Sequence, residues 1–191
     1  MKTIVIDNYD SFVFNLVQYI GEFEGNPEVF RNDDISLNQI QEINPTHIVI
    51  SPGPGNPSDK QYFGICSEII QKFGETTPLL GVCLGHQGIV DSFGGNIIQA
   101  PQIMHGKQSL VHHDSQGIFA NISQNLKVMR YHSLCAEKKS LPECLEISAT
   151  TGDGIIMGVR HKKHPIEGVQ FHPESIGTEE GKTMIKNFLT Q

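Results

Sequence analysis

Short apolar runs without alternation mark the first half of this chain, separated by segments whose apolar residues recur at helical spacing. Residues 3–6, His47–Ile50 and Leu79–Val82 are such runs. The absence of a polar face predicts strands buried on both sides, as in parallel sheets. Glu28–Arg31 predicts a further strand. Residues 11–23 carry Phe12, Val13, Leu16, Val17 and Ile20 at helical spacing, with Asp10 or Ser11 placed to cap the helix. Leu37–Ile43 and residues 62–73 predict two more helices. This alternation predicts a doubly wound α/β fold, an open, mostly parallel twisted sheet with helices on both faces. Beyond Phe93-Gly94-Gly95 the pattern changes to short strand-like runs at 96–99, 109–112, Leu126–Arg130, 145–149, 155–159 and 166–171, which predict an added antiparallel region. A helix over 178–189, apolar at Met184, Ile185, Phe188 and Leu189, closes the chain. No repeat, low-complexity tract or linker interrupts this order, so residues 1–191 read as one domain.

Size and charge narrow the classes of function. A chain of 191 residues can bury a core without staples. A net charge of −7 argues against a general binder of nucleic acid or membrane surfaces, because both need a basic face. Cys66, Cys83, Cys135 and Cys144 form neither a Cys-x-x-Cys pair nor a zinc spacing. They point to a reducing compartment, the cytoplasm or, for an organellar protein, the plastid stroma. The apolar start of the chain ends at Asp7, too early for a signal peptide, and no run approaches transmembrane length.

Ligands of open α/β sheets bind beyond the carboxyl ends of the strands. Four features fall there: Asp7-Asn8-Tyr9-Asp10, the loop Ser51-Pro52-Gly53-Pro54-Gly55-Asn56-Pro57, Cys83 and His172. Gly81-Val82-Cys83-Leu84-Gly85 has the glycine spacing of a nucleophile elbow, with Cys in the place of Ser. Such an elbow puts the thiol at a helix N-terminus, where the dipole and free N–H groups favour the thiolate. The plainer alternative is a small buried cysteine packing as a hydrophobe, and that is the reading for the other three. His172-Pro173-Glu174 offers a base and a carboxylate. Residues two apart in an extended segment share a side, and Pro173 favours extension. Glu174 could then orient one imidazole nitrogen while the other faces Cys83. On its own this motif reads more readily as a solvated turn. The N–H groups of Leu84 and of the Pro/Gly loop are candidate oxyanion donors. His112-His113-Asp114 and His161/His164 lack a metal-site spacing, so no metal is expected. His86 is expected to pack inside the site wall.

Together these residues resemble the class I, or triad, glutamine amidotransferases, and among them the glutaminase subunits (component II) of anthranilate synthase. The resemblance covers nearly the whole chain. It rests on Asp7-Asn8-Tyr9-Asp10-Ser11-Phe12, Ser51-Pro52-Gly53-Pro54-Gly55, Gly81-Val82-Cys83-Leu84-Gly85-His86-Gln87, His105-Gly106-Lys107, Tyr131-His132-Ser133-Leu134 and Gln170-Phe171-His172-Pro173-Glu174-Ser175. It implies a triad of Cys83, His172 and Glu174, oxyanion donors at Gly53 and Leu84, and glutamine contacts from Gly53, Pro54, Gly55, Gln87, Ser133 and Leu134. It also implies that His105, Gly106 and Lys107 lie toward a synthase partner. No cofactor is implied for this chain, and magnesium is implied for the partner. One departure is Gly88, where relatives often carry alanine; glycine is expected to weaken its helix slightly.

The implied reaction is hydrolysis of L-glutamine through a cysteinyl thioester. Ammonia then passes to a chorismate-binding synthase subunit (component I) in tryptophan biosynthesis. The residues leave other readings open. One is the glutaminase subunit of aminodeoxychorismate synthase in folate biosynthesis, or a chain shared by both synthases. Another is a stand-alone γ-glutamyl cysteine hydrolase. The last is a binding module that kept the fold.

Overall fold

The unbroken apolar runs become strands with no solvent-facing side. In the computed structural model, which describes residues 1–24 and 26–191, β1 (Thr3–Asp7) is buried along its whole length. Its alternate side chains enter two cores. Val5 joins Val13, Leu16 and Ile20 of α1 (Val13–Glu24) on one face, with Val49 beside it. Ile4, Ile6, Ile48 and Ile50 join Ile40 of α2 (Leu37–Ile43) on the other. Each such aliphatic contributes roughly 1.5–3 kcal/mol relative to exposure, which is why a strand covered on both faces carries no polar alternation.

The chain continues through β2 (Glu28–Arg31), β3 (His47–Ile50), α3 (Lys60–Phe63), α4 (Cys66–Phe73), β4 (Leu79–Val82) and α5 (Leu84–Ser92). Then follow β5 (Ile97–Gln99), β6 (Lys107–His113), β7 (Leu126–Arg130), β8 (Leu134–Ala136), β9 (Leu145–Thr151), β10 (Ile156–His161), β11 (Ile166–Val169) and α6 (Gly181–Leu189). The main sheet has the order β2-β1-β3-β4-β11-β10-β9-β6-β7. Pairing is parallel from β2 to β11 and antiparallel from β11 to β7. This is the doubly wound sheet with an antiparallel extension that the pattern predicts. Because β1, β3, β4 and β11 are parallel neighbours, the loops that follow them meet at one edge.

Several details differ from the sequence reading. Asp10 Oδ2 accepts the Phe12 N–H at 2.8 Å, α1 starts at Val13, two residues later than expected, and Phe12, expected on the buried face, is 55% exposed. The helix expected over 62–73 is two helices. Gly64, at φ 52°, turns the chain between them, and a side chain there would lie 2.3 Å from the Asn32 carbonyl oxygen. β11 ends at Val169 instead of running to Phe171, and α6 begins at Gly181 instead of Thr178. β8, unmarked in the sequence, pairs with β5 in a separate ribbon. Among the described residues no helix is long and apolar enough to cross a membrane.

Gly88 has a packing role that the sequence did not reveal. A Cβ there would sit 1.9 Å from Cζ of Phe63, a ring that is 1% exposed. The glycine therefore makes room for α3 against α5, which is a different matter from helix propensity. Gly88→Ala is expected to cost about 1–3 kcal/mol in urea unfolding. Phe63→Leu in the same chain should recover part of that loss. Strictly additive effects of the two changes would show that the ring is not the obstacle.

Candidate active site

Cys83 joins β4 to α5 with backbone angles φ 52° and ψ −98°. An L-residue is strained there, and its surroundings must hold it. A side chain at Gly81 would lie 2.5 Å from the Gly85 carbonyl, and one at Gly85 would lie 2.4 Å from the Ile50 carbonyl oxygen. Only glycine lets the two arms of the turn close on each other and on β3. The Cys83 N–H donates to the Val169 carbonyl at 2.8 Å, tying the elbow to β11. The thiol stands at the first turn of α5, where N–H groups have no intrahelical acceptor. At Cys66 burial pushes the thiol pKa up, and its Sγ donates to Asn8 Oδ1 at 3.3 Å.

Beyond Val169 the chain leaves β4. The Gln170 N–H donates to the Met157 carbonyl and the His172 N–H to the Met129 carbonyl, both at 3.0 Å. The Thr178 hydroxyl donates to the His172 carbonyl at 2.6 Å. The extended segment expected at His172-Pro173-Glu174 is instead a turn, closed by the Ser175 N–H donating to the His172 carbonyl at 3.2 Å. The fixed φ of proline suits the second position of such a turn as well as it suits extension. The turn brings Glu174 Oε1 to 2.6 Å from His172 Nδ1. Both side chains are buried. His172 Nε2 makes no hydrogen bond among the described residues. Burial disfavours the imidazolium, but the proximity of Cys83 and then of Glu174 outweighs it, and the His172 pKa stands well above its ordinary value.

A cavity of about 170 Å³ opens in front of the sulfur, lined by Gly53, Pro54, Gly55, Cys83, Gln87, Tyr131, His132, Ser133 and Leu134. Every residue expected to contact glutamine is in this wall. A side chain at Gly53 would lie 2.9 Å from Leu84 Cδ2, so the two expected oxyanion donors are neighbours. The Pro/Gly loop is held by Asn8, whose N–H donates to Ser51 Oγ at 2.8 Å and whose Nδ2 donates to the Ser51 carbonyl at 2.9 Å. The motif Asp7-Asn8-Tyr9-Asp10 thus serves as a bracket for that loop. His105, Gly106 and Lys107 lie outside the cavity and are exposed; the His105 ring meets Tyr131 edge-on at 5.8 Å. A second cavity, of about 340 Å³, lies between α1 and residues 172–176. Tyr131 lines both cavities. Among the described residues no group of three or more His, Cys, Asp or Glu is placed to hold a metal ion.

Three side chains given no role by the sequence reading surround this wall: Arg130, His132 and Gln170. Arg130 Nε donates to His132 Nε2 at 3.0 Å. A guanidinium can only donate, so the imidazole proton is on Nδ1, and it is given to the Leu134 carbonyl at 2.8 Å. A polar residue inside an apolar run, such as Gln170 between Val169 and Phe171, was the available signal, because a buried amide needs partners.

Residues 4–191 match the family described as glutamine amidotransferase class-I. The chain is 56% identical over 190 residues to the bifunctional protein TrpGD of Thermotoga maritima, covering 98% of this chain and 32% of that protein. It therefore spans only about a third of that relative's length. It is 52% identical over 193 residues to anthranilate synthase component 2 of Pseudomonas aeruginosa, covering 98% of this chain and 94% of that one. Among solved structures, a Thermoplasma acidophilum protein described as a subunit of GMP synthase superposes with a TM-score of 0.89. It shares 25% identity, over 100% of this chain and 92% of that one.

Two histidines, His132 in the cavity wall and His86 outside it, are buried as neutral rings. Burial, relieved in part by the Gly168 backbone, lowers the His86 pKa to about 3. Burial, relieved in part by Leu134 and reinforced by Arg130, lowers that of His132 to about 4. The unfolded chain takes up these protons below its ordinary value of about 6.5, so the unfolded state binds more protons and stability falls as pH drops through that window. His172 acts in the opposite sense, so parent and variant must be compared. The urea midpoint of the parent should fall between about pH 7.5 and about pH 5, and His86→Leu should flatten that fall. An unchanged slope in the variant would mean that His86 is not a neutral buried ring.

Proposed function

The chain belongs to the class-I glutamine amidotransferase family, and on that premise we propose that it is the glutaminase component of an anthranilate synthase. On this reading it hydrolyses L-glutamine and delivers ammonia to a chorismate-binding synthase component, where magnesium is also held. The observation that carries the reading is the convergence of Cys83, Gln87, the Pro/Gly loop and the Ser133-Leu134 backbone around one small cavity.

The Cys83 thiolate, paired with the His172 imidazolium, attacks the carboxamide carbon of glutamine. The oxyanion lies between the N–H groups of Gly53 and Leu84. Glu174 holds the imidazole through Nδ1 and stabilises its charge. His172 gives its Nε2 proton to the leaving nitrogen, and ammonia departs. A water, deprotonated by His172, then opens the glutamyl thioester and releases glutamate. Ammonia is useful only if it reaches its acceptor before it escapes to solvent. The face best suited to seat the synthase component carries Phe12, Tyr131 and Ile176, which are 55%, 36% and 99% exposed beside His172. The exposed His105-Gly106-Lys107 segment adjoins Tyr131 on that face.

Cys83→Ser should abolish glutamine-dependent anthranilate formation by the reconstituted complex and leave formation from ammonium salts intact. Glu174→Gln should lower the glutamine-dependent rate by roughly 10²–10⁴-fold. Glutaminase turnover should rise when the synthase component and chorismate are added. Equal turnover with and without them would remove the coupling, and p-aminobenzoate as the product would reassign the partner.

A further inference from the structure

Cys83 has a second polar neighbour besides His172. Gln170 is fully buried at the end of β11, and its Nε2 lies 3.7 Å from Cys83 Sγ. Which end of an amide faces a sulfur is decided by the rest of its network, and here the network leaves one solution. The Leu134 carbonyl can only accept. It accepts from His132 Nδ1, whose proton is fixed there by Arg130, and from Gln87 Nε2 at 3.0 Å. The NH₂ end of Gln87 therefore faces Leu134. Its other hydrogen goes to Gln170 Oε1, also at 3.0 Å. With its oxygen committed to Gln87, Gln170 must present its NH₂ group to the sulfur.

We propose that Gln170 is a catalytic residue that donates a hydrogen bond to the Cys83 thiolate, and that Gln87 is the positioning residue that fixes its polarity. This rests on the reading of Cys83 as the nucleophile. An N–H aimed at an anionic sulfur is a charge-assisted donor, in a buried setting where water does not compete with it. It approaches from the β11 side, separate from the imidazolium, so the sulfur is held from two directions while glutamine enters from the cavity. When the thioester forms, the sulfur loses its charge and the bond weakens, so the donor stabilises the resting ion pair more than the acyl-enzyme. Gln170 does not line the cavity, so its removal should act on the sulfur and leave glutamine binding little changed.

The test is the pH dependence of Cys83 alkylation by iodoacetamide in the purified chain, which needs neither glutamine nor a partner. Gln170→Met keeps the length of the side chain and removes the donor. It should move the alkylation midpoint upward by about one pH unit or more, the loss of one bond to a charged acceptor. In the complex it should lower kcat at pH values below the midpoint in proportion to the thiolate lost, about tenfold for one pH unit, with KM for glutamine nearly unchanged. Gln87→Met frees the Gln170 amide to rotate and should raise the midpoint by a smaller amount; it also supplies the readout if Gln170→Met does not fold. An unmoved midpoint in the folded variants, or a raised KM with an unmoved midpoint, overturns the proposal. If the parent complex makes no anthranilate while the midpoint still moves in the variants, the assignment of function fails and the donor stands.

Discussion

The site depends on one backbone constraint: Cys83 is held in a left-handed conformation at the end of β4. Strain of this kind costs on the order of 1–3 kcal/mol and persists only where neighbours enforce it. The Cys83 N–H bond to Val169 and the close contacts of Gly81 and Gly85 supply that enforcement. Release of the turn would take the sulfur out of its place beside the cavity, His172 and Gln170. The buried strands therefore do more than form a core, because they clamp a residue in a geometry it would not choose.

The parts of the fold governed by local pattern were legible in the sequence. α2, β3, β4 and β7 lie where apolar runs and helical spacing put them, because burial on one or both faces fixes the residue types. The elbow was legible for a similar reason, since two glycines at fixed offsets answer to a steric demand. Positions set by distant contacts were not legible. Nothing near Gly64 announces that the Asn32 carbonyl occupies the space of its side chain, and nothing near Gly88 announces the Phe63 ring. The turn at Pro173 was misread because proline favours both extension and turns, and only the Met129 and Thr178 bonds on either side of the His172 backbone decide between them.

The cavity wall shows the same division. Motifs brought its members together on paper, but the tautomer of His132 comes from Arg130, whose guanidinium is buried without a carboxylate hydrogen-bonded to it among the described residues. Its fixed donor character sets the His132 tautomer, and the Leu134 carbonyl, which can only accept, sets the direction of each amide beyond it. A backbone carbonyl thereby decides which end of Gln170 the Cys83 sulfur meets.

β11 occupies the middle of the sheet, between β4 and β10, yet it is the last strand in chain order. Its pairing with β4 joins residues more than eighty positions apart, as between Val82 and Val169, and contacts of such high sequence separation form slowly. Until that strand inserts, the edges of β4 and β10 are open and the elbow lacks its tie to Val169. During synthesis, then, Cys83 is made well before its neighbours His172 and Gln170, which reach it only as the sheet closes.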